Sequence, residues 1–446
     1  MRTITRLAAA VLLLASFTAP ALADNWVGAW AYVPAPLPPG LNPAPLAPAN
    51  VGPSNGAPIL PLGPSPVPPV NNAAPAAPRI ENPGNVGILD NFVPLTNVTV
   101  RQLVRVSAGG TQIRLRFSNE NGTDMLPVGA VRVGLAGPNG DVLPNSSHVV
   151  TFDGRSGGVM IPASAPLYSD PVGITVKPLD RLLISIHVPG AVPRTGRSLF
   201  MYVTQAGGDR TAEARLPDAK LTRVTTYVTQ VEVNADAPTS AIVTIGDSIT
   251  EGSQSTFNAF RSYPDRLAER LVAAKKSWTV VNAGIGGNRV LRYGTGPNLL
   301  ARFDRDVLSV PGVKAVILLE GINDIGRGFT NTGPREPLTA EALIAGHKQI
   351  IARAHALGIK VYGGLLTPYG GAGYASPDGE QVRQALNNWI RTSNAFDGVI
   401  DFAAPTADKA NPLTFAAGFN DGDKLHPNDA GYQAMADAID LEMVTR

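Results

Sequence analysis

The chain contains no cysteine among its 446 residues. That excludes disulfide scaffolds, cysteine-ligated zinc, iron–sulfur clusters and a thiol nucleophile. Charge is also scarce: 16% of residues are Asp, Glu, Lys or Arg, and 37 Lys+Arg stand against 35 Asp+Glu. A near-neutral chain lacks the basic face that nucleic acid or an acidic membrane surface requires. Long apolar runs are missing as well, and no integral membrane span is expected. The longest, Leu7 to about Ala19, is shorter than the ~20 residues needed to cross a bilayer.

That run has a different reading. Arg2 and Arg6 precede it, and Ala21-Leu22-Ala23 follows it, just before Asp24. A basic start, a short apolar centre and small residues at the exit describe a secretory signal cleaved after residue 23. The mature protein is therefore expected to be secreted or periplasmic. The absence of cysteine after the cleavage site excludes a lipoprotein anchor.

Proline is abundant, but locally. Residues 33–83 hold 17 of the 40 prolines, as in Pro34-Ala35-Pro36-Leu37-Pro38-Pro39. Such a stretch cannot sustain backbone hydrogen bonding and favours an extended excursion. Just before it, Trp26 to Tyr32 reads as an aromatic-rich strand. From Ile88 to about Val233 the pattern is β. Ile113, Leu115 and Phe117 alternate with Arg114 and Arg116, and further strands are expected around Val98–Val106, Val131–Val133, Leu182–Val188 and Leu199–Val203. Short strands separated by Gly, Pro and Asn predict an antiparallel β-sandwich over 24–235.

After residue 235 the period changes. Apolar runs at Ala241–Ile245, Thr279–Val281, Ala315–Leu319, Val361–Leu366 and Val399–Phe402 alternate with helical patterns. Thr339–Leu357 puts Leu343, Ile344, His347, Ile350, Ile351 and Ala354 on one stripe. Ser376-Pro377 opens a helix with a cap and a first-turn proline, and a last helix begins near Asn428. Strands buried on both faces and alternating with helices predict, for 236–446, a three-layer α/β/α sandwich on a mainly parallel, flavodoxin-like sheet of five strands. Ligands of such sheets gather at the carboxyl ends of the strands.

The unusual residues fall at those ends. The first strand runs into Gly246-Asp247-Ser248, the second into Asn282-Ala283-Gly284-Ile285-Gly286-Gly287-Asn288, and the third into Glu320-Gly321-Ile322-Asn323-Asp324. Asp423-Lys424-Leu425-His426 precedes the last helix. A serine hydroxyl needs a base to become a nucleophile, and His426 is the histidine placed to serve. Asp423, three residues earlier, can hold its tautomer. The Ser248 N–H, the Gly284 N–H and the Asn323 amide can converge on a tetrahedral oxyanion. Asp247 reads as a helix cap and Asp324 as a supporting hydrogen-bond partner. His347 reads as a core residue and His355 as a helix-terminal one, while His148 and His187 stand isolated.

Rival motifs fail on context. Gly-x-Ser-x-Gly occurs at Gly52–Gly56 and Gly154–Gly158, neither on a strand–elbow–helix. Gly284-Ile285-Gly286 opens like a dinucleotide fingerprint, but Arg289 replaces its last glycine. P-loop, His-Glu-x-x-His and EF-hand spacings are absent from the sequence.

Each motif alone is weak; their joint order is specific. The four blocks together resemble the SGNH (GDSL-type) serine hydrolase family, from about Ala241 to the C-terminus. The resemblance implies Ser248 as nucleophile, Gly284 and Asn323 as oxyanion donors, His426 as base and Asp423 as its orienter, with no metal or cofactor. Asn282–Arg289, Leu319–Ile325, Trp26–Trp30 and Arg101–Gly122 are similar to a secreted branch that carries an N-terminal β module and includes polysaccharide esterases. It implies ester hydrolysis, above all of O-acetyl groups on polysaccharide or another small ester. A lipase or lysophospholipase activity, and a non-catalytic carbohydrate-binding protein, are the alternatives.

Overall fold

Two periodicities divide the molecule. In the computed structural model, residues 24–36, 95–138, 140–192, 198–329, 336 and 338–446 are described. The expected signal segment at 1–23 and the Pro-rich excursion beyond Pro36 lie outside them.

The first half consists of β1 (Trp26–Ala31), β2 (Val98–Arg105), β3 (Gly110–Ser118), β4 (Leu126–Val128), β5 (Val131–Leu135), β6 (His148–Val150), β7 (Val159–Ile161), β8 (Pro166–Tyr168), β9 (Arg181–Val188), β10 (Ser198–Val203), β11 (Lys220–Thr225) and β12 (Val228–Ala235). One sheet runs β1-β12-β3-β8 and a second β11-β10-β2-β9-β5-β6, with β4-β7 as a small ribbon. The expected alternation holds in β3, where Ile113, Leu115 and Phe117 are buried and Arg114 and Arg116 are not. Side chains of the second sheet reach the first: Gln102 Nε2 donates to the Val228 carbonyl at 3.2 Å. Pairing within these sheets is antiparallel.

The second half consists of β13 (Ser240–Gly246), β14 (Trp278–Gly284), β15 (Val313–Leu319), β16 (Lys360–Gly364) and β17 (Gly398–Ile400), all parallel, in the order β14-β13-β15-β16-β17. This is the flavodoxin-like order, whose switch point lies at the first strand. The runs Ala241–Gly246 and Ala315–Leu319 are wholly buried, as a strand covered on both faces requires. The helices are α1 (Ser248–Glu251), α2 (Tyr263–Ala273), α3 (Leu299–Phe303), α4 (Ile322–Phe329), α5 (Ala340–His355), α6 (Pro377–Thr392), α7 (Asp429–Asp437) and α8 (Leu441–Val444). One group joins α2 to α7 and β14; another joins α5 to α3, α6 and β16. Ser376 caps α6 by accepting the Gly379 N–H at 3.0 Å, with Pro377 in the first turn. α7 ends at Asp437, and Ile439 is buried in the turn to α8. Among the described residues no helix is long and apolar enough to cross a membrane.

β14 is the outer strand of the parallel sheet, and an outer strand presents unpaired backbone groups. The N-terminal half covers them. The Ser107 hydroxyl accepts the Val280 N–H at 3.1 Å and lies 3.0 Å from the Val280 carbonyl and 2.9 Å from the Ala29 carbonyl. Thr279 Oγ1 donates to the Gly28 carbonyl at 2.7 Å, and the Gly28 N–H to the Pro311 carbonyl at 3.0 Å. A second contact involves the loop between α1 and α2. Phe260 sits between the guanidinium groups of Arg105 and Arg181, and Phe257 meets Phe200 edge-on at 5.8 Å. Arg105 also pairs with Asp265 and Glu269 on α2.

Ser107→Ala leaves the Val280 N–H and carbonyl buried without partners. It is expected to destabilise the whole protein by about 1–3 kcal/mol, read as a lower urea midpoint in a single transition. Two separate transitions, with only the N-terminal one shifted, would contradict the seam.

Candidate active site

β13 ends at Gly246, and Asp247 turns the chain into α1 by accepting the Ile249 N–H at 2.9 Å. Asp247 is thus the helix cap the sequence suggests. The turn sets Ser248 at the carboxyl end of the central strands, 7% exposed. His426 lies on the loop before α7, 178 positions away in the chain. The two side chains meet: His426 Nε2 is 2.7 Å from Ser248 Oγ. On the other side of the ring, Nδ1 is 2.6 Å from Asp423 Oδ2. An ionised carboxylate only accepts, so Nδ1 carries the proton and the Nε2 lone pair faces the serine hydroxyl.

The Asp423 loop is itself tied down. Asp423 Oδ1 accepts the N–H groups of Leu425 and His426, each at 2.9 Å, and Asn420 Nδ2 at 2.8 Å. Asn420 Nδ2 also donates to the His426 carbonyl at 2.6 Å. Burial opposes charge on Asp423, but the hydrogen bonds from His426, Asn420 and Leu425 prevail and hold its carboxyl well below the usual carboxylate range. Its stabilising contribution is present above the ordinary carboxylate range and is lost only in strong acid.

The expected oxyanion donors are placed less uniformly. Asn323 lies in the first turn of α4 rather than in a loop, and its Nδ2 donates to the Asn288 carbonyl at 3.1 Å. Among the described residues the second Nδ2 hydrogen has no acceptor. The Tyr374 hydroxyl, 3.4 Å from Asn323 Oδ1, fixes which way the amide faces. Gly284 differs from expectation: its N–H is donated to Asn282 Oδ1 at 2.9 Å. The glycine is needed there for another reason, since a Cβ would lie 2.3 Å from the Glu251 nitrogen of α1. Gly284 still pairs in register with Gly246, so its amide belongs to the strand end and not to the loop beyond it. Among the described residues, the N–H groups of Ser248 and of Gly287 have no acceptor. Asn288, whose carbonyl touches Asn323, directly follows Gly287.

Around these residues lie buried carboxyls. Asp324 accepts the N–H groups of Val290 and Leu291 at 2.8 and 3.1 Å, holding the oxyanion loop against α4; burial nevertheless pushes it up to about 6. Glu320 is fully buried, and neither of its carboxyl oxygens has a hydrogen-bond partner. Burial first, and then the neighbouring Asp247 and Asp324, push Glu320 well above the ordinary carboxylate range against the pull of Arg302. Asp247 is raised too, chiefly by burial. The remaining histidines take no part: His347 is buried with Nε2 3.2 Å from the Glu320 carbonyl, His355 pairs with Asp397, and His187 meets Asn97. His148 opens β6. The Gly154–Gly158 motif lies between β6 and β7.

Residues 244–434 match the GDSL-like Lipase/Acylhydrolase family. No curated protein matches the chain. Among solved structures, the chain is similar to a GDSL-like lipase from Bacteroides thetaiotaomicron at 20% identity, over 46% of this chain and 87% of that one, with a TM-score of 0.35. An acetyl xylan esterase matches at 23% identity over 44% and 94%, with a TM-score of 0.35. A mutant of an acetyl-xylooligosaccharide esterase from Geobacillus matches at 21% over 45% and 91%, with a TM-score of 0.35. The matched segment holds Ser248, Asn323, Asp423 and His426, and agrees with the family resemblance of the four blocks.

The buried acids give stability a sign. A carboxyl raised in the folded state keeps a proton that the unfolded chain releases, so its contribution is intact at low pH and lost as pH rises. Glu320→Gln should therefore flatten the fall in stability between about pH 5 and 8, compared by urea midpoints. An unchanged slope would show that Glu320 is ionised throughout that range.

Proposed function

We propose that this GDSL-type domain belongs to an exported serine esterase that removes O-acyl groups, O-acetyl above all, from polysaccharide. One observation carries the chemistry: Ser248 Oγ, His426 and Asp423 form a continuous hydrogen-bonded chain of 2.7 and 2.6 Å. His426 Nε2 takes the Ser248 proton as Oγ attacks the ester carbonyl. The Asp423 carboxylate stabilises the imidazolium that results. The oxyanion is met by three amide donors, the N–H groups of Ser248 and Gly287 and the spare Nδ2 hydrogen of Asn323. Gly287 takes the place expected of Gly284, whose amide is spent on Asn282. The alcohol leaves with the proton from His426. Water, deprotonated by the same ring, then releases the acid and frees Ser248. No step asks for a metal or cofactor.

The substrate class rests on two supports. The signal-like N-terminus and the resemblance to the secreted, β-module branch point to a polymer outside the cytoplasm. The rim beside the base is polar: Asp421 and Lys424 are exposed, and Asn420 and Asp423 half-buried. A solvated sugar chain suits such a rim better than an acyl chain of many carbons.

Ser248→Ala should abolish hydrolysis of a short activated ester, and a fluorophosphonate should modify wild-type protein at Ser248. Folded wild-type protein that takes no label would favour a non-catalytic binding role. Asn323→Ala should lower kcat about 10²–10³-fold; a loss under tenfold would remove Asn323 from the oxyanion pocket. Acetate release from acetylated xylan, pectin and peptidoglycan, measured beside long-chain lipid esters, tests the substrate. Preference for the lipid esters would overturn the polysaccharide assignment.

A further inference from the structure

Arg302, in α3, points its guanidinium at the carboxyl ends of the three strands that carry the site, and its side chain is fully buried. Nη2 donates to the Gly246 carbonyl at 2.9 Å, at the end of β13 and two residues before the nucleophile. Nη1 donates to the Ala283 carbonyl at 2.7 Å, near the end of β14. Nη2 also stands 3.6 Å from Glu320, the residue that follows β15 and lies three before Asn323. Nε donates to Asn288 Oδ1 at 2.8 Å, and the carbonyl of that same Asn288 receives Asn323 Nδ2. Asp306 completes the set at 3.2 Å.

A planar group with five donors in a fixed fork can hold two strand ends and a loop at once; a lysine ammonium, a point charge on a flexible stem, cannot. Burying such a charge is costly, and an apolar side chain of similar volume is often at least as good for stability. Its place next to the strand end that carries Ser248 is therefore better explained by alignment than by stability. We propose that Arg302 is a positioning residue for ester hydrolysis: by joining the ends of β13 and β14 to the Asn288 loop, it sets the spacing between Ser248 and the oxyanion donors. The assignment rests on the serine esterase reading above. Displacement of reacting groups by about 1 Å is enough to cost on the order of 10²-fold in rate.

The test compares wild type, Arg302→Lys and Asn288→Ala on a short activated ester, with active sites counted by fluorophosphonate titration. A role confined to folding would lower the number of titratable sites and leave kcat per site unchanged. Alignment predicts the reverse for Arg302→Lys: KM within about threefold and kcat per titrated site down by about 10–10²-fold. Asn288→Ala, which severs the loop from the guanidinium together with its Nδ2 bonds to the Thr295 and Pro297 carbonyls, should show the same split with a smaller loss. An Arg302→Lys kcat per site within threefold of wild type overturns the assignment. If Arg302→Lys is insoluble, Asn288→Ala decides alone, and a wild-type kcat per site overturns it. A wild-type protein that neither hydrolyses esters nor takes label at Ser248 overturns the esterase reading and this role together. A labelled wild type with unimpaired variants overturns only the role of Arg302.

Discussion

The contact between Ser248 Oγ and His426 Nε2 depends on the placing of a loop against a strand end, because nothing in the local chain links the two residues. Several ties supply that placing. Thr256, eight residues beyond the serine, donates its N–H and hydroxyl to the Asp429 carboxylate at 2.8 and 2.7 Å, and Asp429 opens the helix just after His426. The Tyr432 hydroxyl donates to the Ser253 carbonyl at 2.7 Å. Arg270 on α2 holds the other end of α7 through the Ala436 and Ile439 carbonyls. The histidine loop is thereby referenced to the segment that begins with Ser248, so the two side chains are positioned by one connected body.

Charge is arranged in two ways around that contact. Asp423 sits at the surface side of the ring, well supplied with donors, and stays ionised. Asp247, Glu320 and Asp324 lie inside, where burial favours their neutral forms. Environment, and not residue type, separates the ionised carboxyl beside His426 from the three buried ones.

Much of this was legible from sequence. The five parallel strands were readable because their runs are apolar, and the meeting of Ser248 with His426 and Asp423 because one ends a strand and the others directly precede the last long helix. The readings weakened where geometry is not local. β4, β6, β7 and β8 have three residues each, too few to show alternation. Gly284 and Gly287 share one glycine-rich stretch of sequence, but Gly284 ends β14 and the Asn282 side chain takes its amide. Tyr374 and Arg302 reach the site from outside the four blocks. A buried arginine in a helical segment carries no local pattern.

The Ser107 hydroxyl that shields Val280 also has a bearing on the order of synthesis. Ribosomes release the N-terminal half first, and domains fold broadly in that order. The shield is therefore made before the strand it protects leaves the exit tunnel. Newly made β14 meets a prepared neighbour of its own chain, so the time for which its bare margin can recruit a stranger is shortened. Reversing the two halves by circular permutation would remove that head start without deleting a single contact from the finished protein.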